Sequence, residues 1–206
     1  MVGVGMKLLE DFSTQLRIDD PEERRMISGV TWEQYEALLV DFEDRPGYRI
    51  AFLDGTLEIM SPSRRHEISS ENIGALLEVY FEEMRIRFWR LGSTTFRRTE
   101  RRGGAEADKS YNLGTEKEFP DLVIEVIVTS GGVDKLEIYR RLGVTEVWFF
   151  QDDAFTLYCL RDDAYEQIAA SELLPDLDLN LLIDYAAQSD PLDALIEYRQ
   201  RVKGNE

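Results

Sequence analysis

The chain of 206 residues carries 41 Asp and Glu against 24 Lys and Arg, a net charge of −17, and is 43% hydrophobic. That is enough for one domain with appendages around a real core; no apolar run approaches the roughly 18 residues of a membrane span, and Met1 to Lys7 lack the cationic-then-apolar pattern of a signal peptide. The acidic balance argues against a non-specific nucleic-acid coat, which leans on Lys and Arg, and the single Cys159 leaves no internal disulfide or cysteine-rich zinc site and fits a reducing, cytoplasmic setting.

Residues 1–28 are polar with little periodicity and read as an arm available for self-association. Thr31 is the predicted N-cap of a helix reaching about Asp41, with Gln34 at the capping-box position. After a turn over Glu43–Gly47, two β-prone segments flank Asp54-Gly55, the signature of a hairpin. A long helix is expected from about His66 to Phe88, stopped by Gly92. Ser93–Arg98 alternates as a strand, Arg101–Gly104 reads as a turn, and Glu106–Leu113 reads as one further strand. A helix over Val133–Leu142 is closed by Gly143. The strand Glu146–Phe150 then forms a hairpin with Phe155–Leu160, Tyr165–Ile168 adds an edge, and Asp190-Pro191 opens a closing helix to about Val202.

One stretch organises the rest. Phe119–Val128 is dense in β-branched residues and apolar at both parities, so it predicts a strand covered on both faces. Leu122, Ile124, Val126 and Val128 line one face; Val123 and Ile127 share the other with Asp121 and Glu125. A carboxylate inside such a strand is costly unless neutralised, paired or bound to a metal. Gly131-Gly132 then breaks the strand, and Lys135 follows in the first turn of the next helix, the wrong end for a favourable dipole contact. On the preceding strand Asp108 shares a face with Glu106, Ser110 and Asn112 by period two, so adjacent strands can bring Asp108 and Glu125 side by side. Two such acids suit a Mg²⁺ or Mn²⁺ ion that keeps waters, and a nearby lysine can orient or deprotonate a water. That combination points to metal-dependent phosphodiester hydrolysis. Seven arginines between Glu83 and Arg102, among them Arg97, Arg98, Arg101 and Arg102, form a basic island that either meets phosphates or is simply a solvated surface.

The residues also carry a resemblance. Gly55–Ser63 with His66-Glu67, Gly104–Asp108, Pro120–Val126, Asp134–Tyr139 and Gly143–Trp148 occur in order over roughly residues 30–185. Together they resemble the Uma2 group of the PD-(D/E)XK restriction-endonuclease-like superfamily. The resemblance implies an α/β fold, a mixed β-sheet core flanked by helices, with an N-terminal β-hairpin and a C-terminal helix. It implies an endonuclease-like domain over 29–188, between the arm 1–28 and a helix or tail at 189–206. Asp108 then looks like the first acid of the motif and Glu125 like the second; Ile127 stands where the lysine normally falls, and Lys135 is the shifted candidate. Ala107 replaces the usual proline before the first acid, which changes backbone stiffness more than chemistry. His66, the only histidine, matches a family position and could hold phosphate or a site carboxylate; Glu58 and Asp121 are accessory candidates.

The leading expectation is a Mg²⁺- or Mn²⁺-dependent nuclease of the cytoplasm, acting on nucleic acid, DNA first, as a homodimer. The alternatives are an inactive restriction-endonuclease-like scaffold or interaction module, which the −17 charge favours, and a hydrolase of smaller phosphoesters.

Overall fold

A computed structural model describes residues 22–42, 47–92 and 94–204, with the side chain of Arg101 excepted. The expected arm up to Pro21, most of the turn at Glu43–Gly47, and Ser93 lie outside the described residues. The chain is α/β, as expected, and divides into two compact units interleaved along the sequence. Residues 1–64, 95–106 and 129–142 make the first; 65–94, 107–128 and 143–206 make the second. No described helix is long and apolar enough to cross a membrane.

The first unit is built on a five-stranded antiparallel sheet. Its strands are β1 (Glu23–Ser28), β2 (Arg49–Leu53), β3 (Thr56–Ser61), β5 (Thr95–Arg98) and β6 (Gly103–Glu106), in the order β1-β3-β2-β6-β5. Helix α1 (Trp32–Phe42) starts on the expected capping box: the Gln34 amide donates to Thr31 Oγ1 at 3.3 Å and the Thr31 amide to Gln34 Oε1 at 2.8 Å. Its buried Trp32, Tyr35, Leu38, Leu39 and Phe42 cover one face of the sheet, where Ile50, Phe52, Leu57 and Ile59 alternate inward. The β2–β3 hairpin turns through Asp54 and Gly55, both at positive φ, as a two-residue primed turn requires. The opposite parity puts Ala51 across from Glu58 and from Ala105. Helix α3 (Lys135–Leu142) packs against β2, β5 and β6 of this unit and ends at Gly143, as predicted.

The second unit holds a six-stranded mixed sheet in the order β11-β10-β9-β8-β7-β4. These are β4 (Phe88–Arg90), β7 (Lys109–Leu113), β8 (Leu122–Ile127), β9 (Glu146–Gln151), β10 (Ala154–Arg161) and β11 (Ala164–Ile168). The organising strand β8 lies inside the sheet, antiparallel to β7 and parallel to β9, and Leu122 through Val126 are all buried. Its Leu122, Ile124 and Val126 join a core with Ile73, Leu76, Leu77, Tyr80 and Phe81 of helix α2 (Arg64–Glu83). Helices α4 (Leu179–Ala186) and α5 (Pro191–Lys203), capped by Asp178 and Asp190, complete this core with Leu182, Tyr198 and Val202.

Four expectations change. Residues 23–28 of the expected arm form the edge strand β1, whose main chain pairs with β3. Helix α2 stops at Glu83 rather than near Phe88. Arg85 adopts φ 55°, the Ile86 amide bonds Phe81 O at 2.8 Å and the Arg85 amide bonds Glu82 O at 3.3 Å, a Schellman ending without glycine. The predicted strand Glu106–Leu113 is two strands in two sheets, broken at Ala107-Asp108. Glu106 therefore ends β6, and the period-two face does not run from it through Asp108. The fourth change is helix α4, in a stretch where the sequence suggested no element.

Candidate metal centre

Strand β7 runs against β8 with Lys109 opposite Ile124 and Ser110 opposite Val123. Asp108 is the residue just before β7, and Glu125 follows Ile124 on β8. Both acids are deeply buried, Asp108 at 5% and Glu125 at 1% exposure. Asp108 sits just beyond the pairing, and its Oδ2 accepts the Val126 N–H at 2.8 Å. A side chain thus occupies the place that a main-chain carbonyl would take in a continuing ladder.

His66, in the first turn of α2 and fully buried, fixes the same oxygen. Its Nε2 lies 3.0 Å from Asp108 Oδ2 and 3.0 Å from the Val126 carbonyl oxygen. Both neighbours accept, so Nε2 carries the hydrogen and donates to them. His66 and Asp108 are therefore joined in the second unit, where Glu125 also lies buried on β8.

Two carboxylates brought close would repel, and a cation between them would remove the penalty. Mg²⁺ is commonly held by one or two carboxylates, with water completing its shell. The Asp108–Glu125 pair fits that donor set. Among the described residues no group of three or more His, Cys, Asp and Glu side chains is gathered around a metal position.

The remaining predicted residues fall as follows. Lys135 is the half-buried first residue of α3, in the first unit. It acts electrostatically on Glu106, whose carboxyl is pushed up by burial and drawn back by the Thr95 hydroxyl, Arg49 and Lys135. Glu58, 2% exposed on β3, accepts the Val133 N–H at 2.7 Å and lies 3.6 Å from Arg24 Nε. Asp121 clasps the β7–β8 connection, accepting the Leu113 N–H at 2.8 Å and Lys117 Nζ at 2.6 Å. Arg97 and Arg102 are exposed and Arg98 is half-buried; the Arg101 side chain lies outside the described residues. Not every arginine of the basic island faces solvent alone, since Arg90 donates to Glu78 at 2.7 Å.

Sequence reasoning missed one further buried acid. Glu146, 0% exposed at the start of β9, accepts Trp148 Nε1 (2.8 Å), Ser171 Oγ (2.7 Å) and the amides of Glu172 (2.7 Å) and Leu173 (2.9 Å). Only the Glu-x-Trp spacing, which puts both side chains on one strand face, signalled any of this. With both oxygens doubly engaged, Glu146 braces the fold. Arg24, in the segment read as an arm, was missed as Glu58's partner. No curated protein matches the chain. A family model described as "Uma2: Putative restriction endonuclease" matches residues 32–189.

Proposed function

The chain belongs to the Uma2 family, and from that premise we propose that it is a metal-dependent nuclease hydrolysing phosphodiester bonds of nucleic acid. The observation that supports the reading is two buried acids in the second unit, Asp108 just before β7 and Glu125 on β8, the first clamped by His66 and the Val126 amide.

Asp108 and Glu125 would hold Mg²⁺ or Mn²⁺. Such an ion supplies Lewis-acid charge and a bound water of lowered pKa. His66 keeps the Asp108 carboxylate in one orientation, so that its geometry is set before a ligand arrives. Lys135 is assigned the role of orienting the water and balancing charge that builds on the phosphoryl oxygens. Water adds to phosphorus, the bond to the leaving oxygen breaks, and the leaving oxygen takes a proton. Arg97, Arg98, Arg101 and Arg102 are assigned to backbone phosphates, which fix register without reading sequence. Two copies, one for each strand, are the form in which we expect the protein to meet duplex DNA.

The test pairs calorimetry with cleavage. Mn²⁺ should bind the wild type and not Asp108→Ala or Glu125→Ala, and plasmid nicking should vanish in both. Lys135→Ala should keep metal binding and lose cleavage. The net charge of −17 favours the alternative of a non-catalytic module; a wild-type chain that neither binds Mn²⁺ nor cuts DNA or RNA would select it.

A further inference from the structure

A buried carboxylate on a strand has to be compensated, and the way Glu58 is compensated ties it to the segment that delivers Lys135. Glu58 lies on the face of β3 opposite the one α1 covers, with the small Ala51 across from it. Its Oε2 takes the main-chain N–H of Val133 at 2.7 Å. The Arg24 guanidinium stands 3.6 Å from its Oε1, carried in by β1. Gly132 completes the arrangement: a Cβ there would lie 2.3 Å from Glu58 Oε2 and 2.9 Å from Arg24 Nη1. A Cβ there would push either the turn or the ends of the Glu58 and Arg24 side chains aside, and in both cases the Val133 contact is disturbed. The same segment is tied at its start, where Thr129 Oγ1 donates to Glu22, and at its end, where Asp134 Oδ1 accepts the Glu137 amide at 3.0 Å and caps α3. Lys135 is the next residue.

We propose that Glu58, braced by Arg24, is the positioning residue for Lys135: it holds the Gly131–Val133 turn against β3 and so fixes where α3 begins and where its first side chain is carried. This inference rests on the nuclease reading above and deepens it. Glu58 touches neither metal nor phosphate in this role. It acts through the Val133 amide, and the closeness of that contact favours Gly132. Strand β1 contributes through Arg24, whose guanidinium stands beside the Glu58 carboxylate and braces it.

The experiment uses the full chain, ¹⁵N-labelled, with hydrogen exchange at the Val133 amide measured beside plasmid cleavage in Mn²⁺. Glu58→Ala should speed Val133 exchange by about tenfold to a hundredfold, the range for losing a hydrogen bond to a charged group. It should also lower kcat by about tenfold or more with KM unchanged, because Lys135 serves the transition state. Glu58→Gln keeps an acceptor oxygen for the amide and should bring both readouts back to within about threefold of wild type. Gly132→Ala leaves the carboxylate intact and disturbs the Val133 contact; it should reproduce Glu58→Ala, and it replaces that variant if Glu58→Ala does not fold. Lys135→Ala separates the two claims. If it cleaves like wild type, the role assigned to Lys135 fails and this inference with it; if the wild type cleaves nothing, the nuclease reading fails as well. If Lys135→Ala is inactive while Glu58→Ala or Gly132→Ala turns over at the wild-type rate, or leaves Val133 exchange unchanged, the positioning role is overturned and the nuclease reading stands.

Discussion

Replacing His66 by alanine should loosen metal binding without removing a metal ligand. The imidazole is fully buried, and its one Nε2 hydrogen is shared between Asp108 Oδ2 and the Val126 carbonyl, each 3.0 Å away. Without it Asp108 Oδ2 loses the imidazole donor and keeps the Val126 amide at 2.8 Å. A hydrogen bond to a charged group is worth about 1.5–3 kcal/mol, and each 1.4 kcal/mol is about a factor of ten. A carboxylate freed by that amount must be re-ordered when the ion arrives, so Mn²⁺ affinity should fall by about 10- to 100-fold, the usual range for groups that orient a ligand. The buried acceptors left behind should also lower the melting temperature in EDTA by about 2–12 °C, from about 1–3 kcal/mol lost in a chain of this size. His66→Gln, which retains an N–H donor, should recover part of both losses. Calorimetry with Mn²⁺ decides the matter: a His66→Ala protein that binds within about twofold of wild type would show that the imidazole does not set Asp108 for metal.

Glu146→Gln should be severe for stability. Its amide nitrogen would face two donors now served by a carboxylate oxygen, for a loss of about 3–6 kcal/mol in urea unfolding; a loss below about 1 kcal/mol would refute the bracing role. Acid should release α3 from the β2–β3 turn. Arg140, with Arg141, holds the Glu137 carboxyl down at about 2, and Arg141 lowers that of Asp54. A depressed folded-state value stabilises fully above the ordinary 4.5 of Glu137 and is lost as pH falls towards 2. The stability gap between wild type and Glu137→Gln should therefore close between about pH 5 and pH 2, and a gap undiminished at pH 2 would contradict the assignment. Arg97→Ala should reduce the slope of log affinity for DNA against log salt by about 0.9; an unchanged slope would remove Arg97 from the phosphate contacts.

Much of this architecture was legible because local signals and packing agree. The β-branched run of β8 announced a strand covered on both faces. Asp54-Gly55 announced its hairpin and Thr31 with Gln34 their helix start, since each is local stereochemistry. The burial of Glu125 followed from its place inside an apolar strand. What escaped depends on partners distant in sequence. Strand β1 is Glu-Arg-Arg-Met-Ile-Ser, with no apolar alternation, and takes its conformation from pairing with β3. The break between β6 and β7 leaves no glycine or proline signature, because Asp108 makes it by capturing the Val126 amide. Helix α2 ends early on an arginine in the left-handed region, a position where glycine would have given notice. Glu58 was visible as an acid but not as the acceptor for Val133, which lies far along the chain.

The interleaving of the two units has a consequence for how this protein can be dissected or inherited. Neither unit corresponds to a contiguous stretch of gene, so no simple truncation yields one without ruining the other. Recombination could not shuffle either unit into a new host as a cassette.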